Sequence, residues 1–322
     1  MSRVLASLVV ALLAAAPSVL AFGGPLPGQI KNLVTFGDSY TDVGNPADGG
    51  QAWPIYAAEY GHLNLYPFAK SGAACSNNLT DRPFPPVFEY QIPTYLQEVQ
   101  NGTLALNPYE TIYTLWIGTN DVGVNELLTG SQTPGVTLVN TTQCAVNWVS
   151  TMYGYGARNF LFQNMLPLQN TILYSNYSYP NRYYVAPRNT TEWNVMMTEI
   201  TNTGNLLSRM MLENLAYQLP GAHIGIFDSY GLFTDMYNNP AQYLNGTAPL
   251  NVTGCVNSCV YAINANISDP NAGTCTTAEG TDRDSFLWYD ELHPSEQADR
   301  IVAREISGAI LRTSENYTTW LS

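Results

Sequence analysis

Side chains able to act as a base near neutral pH are scarce in this chain: among 322 residues only His62, His223 and His293 carry an imidazole. A nucleophile to match one of them is suggested by Leu33-Val34-Thr35-Phe36-Gly37-Asp38-Ser39-Tyr40-Thr41-Asp42-Val43-Gly44-Asn45, an apolar run that stops at Gly-Asp-Ser. The pattern reads as a buried strand breaking into a tight turn, which delivers the Ser39 hydroxyl at the strand's carboxyl end. In an open α/β sheet the ligand crevice lies outside those carboxyl ends, so a serine delivered there stands where ligands bind. A lone Gly-Asp-Ser can equally cap a following helix through Ser39 or Asp38, so the assignment depends on what the rest of the chain supplies.

His62 and His223 open predicted strands and so belong to the amino-terminal edge of a parallel sheet, away from Ser39. That leaves His293, in a turn ahead of the last helix, from which it can reach over the carboxyl edge. Asp290 lies three residues earlier and can fold its carboxylate back onto one ring nitrogen, fixing the tautomer and steadying the imidazolium formed during proton transfer. Asp282 and Asp284 compete for that role; Glu291 points elsewhere on the same turn, and Asp38 reads as a turn or capping residue. Acyl transfer also needs donors where an oxyanion develops. Two further strand ends offer them: Gly118-Thr119-Asn120-Asp121, where the Asn120 amide can project over the edge, and Lys70-Ser71-Gly72-Ala73-Ala74, where Gly72 lets backbone N–H groups approach a ligand closely. Taken singly, each is also an ordinary strand-to-helix turn.

These residues need a scaffold, and the apolar patterning predicts one. Lys31 to Gly37, Leu63 to Phe68, Thr111 to Ile117, Asn159 to Phe162 and His223 to Phe227 read as buried strands. Between them run helical spacings at Trp53 to Tyr60, Phe88 to Val99, Gln143 to Tyr153 and, most clearly, Glu192 to Leu219 with Met196, Ile200, Leu207, Met211 and Leu215 on one side. Strands alternating with helices imply a parallel sheet covered on both faces. From Tyr230 to Ser285 the pattern dissolves into Asn, Gly, Pro and Thr with three cysteines, which reads as a disulfide-pinned excursion within one domain spanning residues 22–322. A last helix carries the apolar stripe Ala298, Ile301, Val302, Ile306 and Ala309.

Residues 1–21 have the form of a secretory signal: a positive start, an apolar core from Val4 to Ala16 and small residues before Ala21. That core is shorter than the roughly 20 residues a spanning helix needs. Nine Asn-x-Ser/Thr sequons, at Asn78, Asn101, Asn140, Asn176, Asn189, Asn245, Asn251, Asn266 and Asn316, fit a glycosylated, secreted, extracellular protein. Five cysteines suit an oxidising compartment and leave one unpaired or paired outside the chain. Their spacing matches no zinc site, and no His-Glu-x-x-His occurs, so no metal is expected. A net charge of -13 argues against nucleic acid and anionic membrane surfaces as partners.

Taken in order, Phe36-Gly37-Asp38-Ser39-Tyr40-Thr41-Asp42-Val43-Gly44-Asn45, then Gly72, then Gly118-Thr119-Asn120-Asp121, then Asp290-Glu291-Leu292-His293-Pro294 resemble the four-block pattern of the SGNH/GDSL hydrolases. The resemblance implies a three-layer α/β/α sandwich with a flavodoxin-like parallel sheet. It also implies Ser39 as nucleophile, His293 as base, Asp290 as acid, and an oxyanion hole from the Ser39 and Gly72 backbone N–H groups with the Asn120 side chain, and no cofactor. Tyr40 departs from the family's usual Leu after the serine, and the Gly72 block is the least sharply defined. Among subfamilies the chain is similar to secreted fungal acetyl esterases of carbohydrate esterase family sixteen, which act on acetylated hemicellulose oligosaccharides. Lipases share the same blocks, and a non-catalytic carbohydrate-binding glycoprotein is the reading from another class. On the esterase reading the substrate is a small acetylated sugar or oligosaccharide, and Trp53, Trp288 and Tyr289, which flank the blocks, stack on sugar rings unless they belong to the core.

Overall fold

The computed structural model describes residues 23–269 and 271–322; the predicted signal segment 1–21 lies outside the described residues. The strands are β1 (Asn32–Gly37), β2 (Asn64–Pro67), β3 (Thr111–Trp116), β4 (Asn159–Gln163), β5 (His223–Phe227), β6 (Asn251–Cys255), β7 (Asn257–Tyr261), β8 (Gly273–Thr277), β9 (Phe286–Trp288) and β10 (Thr318–Trp320). The helices are α1 (Trp53–Gly61), α2 (Ile92–Gln100), α3 (Thr119–Val122), α4 (Leu138–Gly154), α5 (Thr190–Ala216), α6 (Ser229–Asn238) and α7 (Glu296–Leu311).

β1, β3 and β4 are buried along their whole length, as near-continuous apolar runs in a doubly covered parallel sheet should be. Successive side chains point to opposite faces. Leu33, Ile112 and Leu161 therefore enter one core with α1 and α7, while Val34, Tyr113 and Phe160 enter the other with α2 and α4. The sheet runs β2-β1-β3-β4-β5-β10, parallel except for the last strand. This is the three-layer α/β/α arrangement with the flavodoxin-like strand order 2-1-3-4-5. The order reverses at β1, so the crevice opens between β1 and β3. Gly37 pairs in register with Trp116, which makes the two strands end level and brings the following turns out side by side.

Several elements differ from expectation. α4 begins five residues before the predicted Gln143, because Thr137 and Asn140 form a capping box that starts the helix. α2 is entered through a π turn at Val87–Gln91. β10 is absent from the sequence reading: three residues carry no readable period, and the strand is held instead by Trp320, whose ring covers Gly225 of β5. The excursion is also more ordered than its composition suggests. It holds nearly all of α6, the strand β6, which pairs in parallel with β9 just beyond the excursion, and an antiparallel β7/β8 hairpin whose facing Cys259 and Cys275 are bridged. β8 is almost wholly exposed, so no apolar alternation marks it, and cross-strand hydrogen bonds with the disulfide take the place of a core. A second disulfide joins Cys75 to Cys144, and Cys255 is unpaired and buried.

Trp53 and Trp288 require correction as sugar-stacking residues. Both are 0% exposed. The Trp53 indole N–H donates to Thr41 Oγ1 at 3.2 Å beneath the β1 turn. Trp288 stacks on Phe233 and donates to the Val252 carbonyl at 2.9 Å. Aromatic residues beside sequence motifs are as useful for filling the space under a turn as for lining a cleft. Trp288→Ala should therefore cost about 3–5 kcal/mol of stability, measured by denaturant unfolding; an unchanged midpoint would contradict the packing described.

Candidate active site

The turn after β1 is forced by glycine. Gly37 has φ +148, and a Cβ there would lie 2.3 Å from the Trp116 carbonyl oxygen, so no other residue lets β1 end this close to β3. The Gln91 side chain clamps the same residue, accepting from Gly37 N–H at 3.0 Å and donating to its carbonyl at 2.8 Å. Thr41 and Asp42 N–H then donate back to the Asp38 carbonyl, closing a turn that leaves Ser39 half-buried at the cleft. Tyr40 points inward. Its ring meets His293 edge-on with centroids 5.6 Å apart, and its hydroxyl donates to the Leu292 carbonyl. The departure from leucine thus ties the serine turn to the histidine turn.

Ser39 Oγ lies 2.8 Å from His293 Nε2, and His293 Nδ1 lies 3.0 Å from Asp290 Oδ1. Asp290 Oδ1 also accepts from the backbone N–H groups of Leu292 and His293, both at 2.8 Å, which folds the carboxylate under its own turn. The competing acids are engaged elsewhere: Asp284 pairs with Arg300 at 2.6 Å, and Asp282 accepts from Thr247. Glu291 faces away, paired with Arg182 at 2.9 Å. Burial by itself disfavours the charged forms of both Asp290 and His293. For Asp290 the His293 charge and the donated hydrogen bonds outweigh it and hold the carboxyl below its usual range. For His293 the Asp290 charge and hydrogen bond, with smaller contributions from Asp38 and Asp48, outweigh it and raise the imidazole.

Gly72 and Asn120 line the same cleft as Ser39 and His293. Gly72 sits at φ +78 with the Phe84 ring where a Cβ would be. Its segment is pinned from four sides: Ser71 N–H donates to Asp42 at 2.7 Å, Arg82 Nε to the Gly72 carbonyl, Asn120 Nδ2 to the Ala73 carbonyl, and Cys75 N–H to Asp121. An amide nitrogen carries two hydrogens, so the Ala73 contact leaves Asn120 one more to donate. The cleft has a volume of about 430 Å³ and mixes Asn45, Asn125, Arg82 and Arg182 with Phe84 and Ile267. Tyr289 lies outside it, packed on Gly49, so none of the three aromatics expected to stack on sugars borders the site. The aromatic side chains that do are Phe84, Tyr174 and Tyr183. Tyr183 has no motif to announce it, standing in a loop far from every block. Asp42 and Asp121, by contrast, lie inside the sequence blocks that carry Ser39 and Asn120.

A serine, a histidine and a carboxylate hydrogen-bonded in series at the switch point of a 2-1-3-4-5 sheet define a hydrolase of the SGNH fold. The chain belongs to the GDSL-like lipase/acylhydrolase family, whose model matches residues 33–306, and it is a carboxylic ester hydrolase. It is 30% identical to an acetylesterase of Hypocrea jecorina over 91% of this chain and 92% of that protein. It is 22% identical to an acetylesterase of Thermothelomyces thermophilus over 87% and 88%. Among solved structures, an acetylxylan esterase from Geobacillus stearothermophilus superposes with a TM-score of 0.43 and 14% identity, covering 88% of this chain and 95% of that one.

Two measurements follow from this geometry. Gly37→Ala should lower stability by more than about 1 kcal/mol and reduce turnover at least tenfold, since the added methyl pushes β1 off β3 where Ser39 emerges; wild-type values in unfolding and rate assays would contradict the clamp. His293 must be neutral to accept a proton, and its proton affinity is raised in the folded protein. Turnover should therefore be lost on acidification through a midpoint above the ordinary histidine value of 6.5. A kcat/KM profile with its acid midpoint at or below that value would contradict the Asp290 contact.

Proposed function

We propose that this chain is a secreted serine esterase that removes acetyl groups from carbohydrates such as acetylated hemicellulose oligosaccharides. The observation that carries the reading is the 2.8 Å contact of Ser39 Oγ with His293 Nε2 while Asp290 holds the opposite ring nitrogen. In the reaction Ser39 Oγ attacks the acetyl carbonyl as its proton passes to His293 Nε2. Asp290 keeps the imidazolium oriented and compensated. The Ser39 and Gly72 backbone N–H groups and the Asn120 amide receive the oxyanion. Collapse expels the sugar oxygen, which takes the proton from His293 and leaves as an alcohol, with the acetyl group on Ser39. Water then attacks the acyl-enzyme with His293 again as base, and acetate departs from a regenerated serine.

Acetyl specificity is supported by the acetylesterase relatives, and a sugar leaving group by the polar side chains around an open cleft. Secretion and glycosylation are supported by two disulfides and by sequon asparagines that are all exposed except Asn251, which is half-buried in β6. One observation favours a second reading, a lipase: Ile267, 47% exposed at the tip of the β7/β8 hairpin, reaches the cleft beside Phe84 and Val124 and could greet a longer acyl chain. Against it, Ile267 adjoins the sequon at exposed Asn266, and a glycan there would make a poor apolar lid.

Ser39→Ala should abolish ester hydrolysis while the protein stays folded, because the hydroxyl carries the reaction and a turn cap is worth about 1 kcal/mol. Retained turnover would sink the mechanism. A series of aryl esters from acetate to octanoate separates the two readings: acetate should be hydrolysed fastest, and a preference for octanoate would make the enzyme a lipase.

A further inference from the structure

We propose that Tyr183 is a positioning residue of this site: its hydroxyl, wedged between Asp290 and His293, fixes the carboxylate and sets how strongly the imidazole holds a proton. The proposal rests on the esterase reading above. Tyr183 Oη lies 2.5 Å from Asp290 Oδ2 and 3.0 Å from His293 Nδ1, and the ring borders the cleft. Its single hydrogen can serve only one of these partners. The carboxylate takes it, because a short bond to an ionised acceptor is about twice as strong as one between neutral groups. Burial, and after it the Asp290 charge, keep the phenol protonated far above its ordinary value, so the donor is always present. Nδ1–H then faces three oxygens, Asp290 Oδ1 at 3.0 Å, Asp290 Oδ2 at 3.2 Å and Tyr183 Oη at 3.0 Å. That arrangement commits the hydrogen to Nδ1 and leaves the Nε2 lone pair for Ser39.

The phenol is held where it is by its neighbours. Tyr183 N–H donates to Asn181 Oδ1 at 3.0 Å, Asn181 and Tyr184 exchange a backbone bridge, and Arg182 anchors to Glu291 and to the Asn257 carbonyl. A hydrogen bond donated to Asp290 spreads the carboxylate's charge and weakens its pull on the imidazolium. Tyr183 also offers a lone pair to Nδ1–H, which acts the other way. The carboxylate bond is shorter and charge-assisted, so the first effect prevails and Tyr183 lowers the basicity of His293. The other groups that face His293 are Asp38 and Tyr40 from the β1 turn, Asp48 from the following loop and Arg182 beside Asp290. None of these hydrogen-bonds Nδ1, which among the described residues meets Asp290 and Tyr183 alone.

Tyr183→Phe removes the donor and keeps the ring. The acid midpoint of kcat/KM should then rise by about half to one pH unit, with kcat reduced several-fold, whereas Tyr184→Phe, next to it but touching no triad atom, should leave the midpoint in place. Replacing Tyr183 by 3-fluorotyrosine gives a more acidic, stronger donor and should move the midpoint down; this arm remains readable if the Phe variant does not fold. A folded Tyr183→Phe enzyme with an unmoved midpoint, or a fluorotyrosine enzyme with a raised one, would overturn the proposal. Neither outcome touches the esterase reading, which falls only if Ser39→Ala retains turnover.

Discussion

The structure turns on one buried carboxylate. Asp290 is 4% exposed, and stripping water from an ionised carboxyl is tolerated only when donors replace the lost hydration. Four do so: the N–H groups of Leu292 and His293, the His293 ring and the Tyr183 hydroxyl. Meeting that demand makes the Asp290–His293 turn, sets the imidazole's plane and tautomer, and draws a distant loop onto the site. Pro294 then bridges back to Trp288, and Ser295 caps α7 by accepting from Ala298 N–H. The helix that covers one face of the sheet is launched from the same turn that presents His293 to the cleft.

The same device recurs around the cleft with a different balance. Asp38 and Asp121 are buried carboxyls that receive N–H groups from the site's own turns, Tyr40 for one and Cys75 for the other. Neither has an imidazole partner in contact. Burial therefore prevails and pushes Asp38 up to about 7 and Asp121 to about 6. The sign of the linkage is opposite to that of Asp290. A carboxyl raised on folding stabilises the fold at low pH and loses that contribution as pH climbs through its folded value. Asp290, depressed on folding, contributes at higher pH and loses it on acidification. His293, raised, sides with Asp38 and Asp121. With these groups pulling in opposite directions, their summed contribution is greatest at an intermediate, acidic pH and declines on either side.

How much of this was legible in the sequence varies by physical cause. The central parallel strands could be read because they are buried on both faces, and a continuous apolar run bounded by glycine fits little except a covered strand; β2 stands where expected, but as an edge strand its residues are exposed or half-buried rather than buried. Ser39, Asp290 and His293 were readable as candidates because strand ends and one short turn fix where they stand. The Trp53 and Trp288 assignment failed because an indole near a motif looks the same in sequence whether it faces sugar or core; only packing against Thr41 and Phe233 distinguishes them. Tyr183 was invisible for a related reason. Among 22 tyrosines, nothing local marks the one whose hydroxyl meets residues 107 and 110 positions away. The hairpin of β7 and β8 escaped because β8 is almost wholly exposed and β7 buries a single residue, Cys259, which is too little to write a period.

That hairpin and Tyr183 share an anchor in the neighbour of Asp290. Backbone in a short extended turn sends adjacent side chains to opposite sides, so Glu291 leaves the site as Asp290 enters it. Glu291 has no exposed side-chain surface and must likewise be satisfied. It accepts from Arg182, from the Tyr179 hydroxyl at 3.1 Å and from the Cys259 N–H at 2.6 Å. The first two donors belong to the loop that carries Tyr183; the third belongs to β7, across from the Cys275 end of the disulfide. One carboxylate thus organises the His293 turn and the Tyr183 hydroxyl, and the one beside it fastens the excursion and the Tyr183 loop to the same turn. The excursion is then part of what holds the imidazole, although among its described residues only Ile267 borders the cleft.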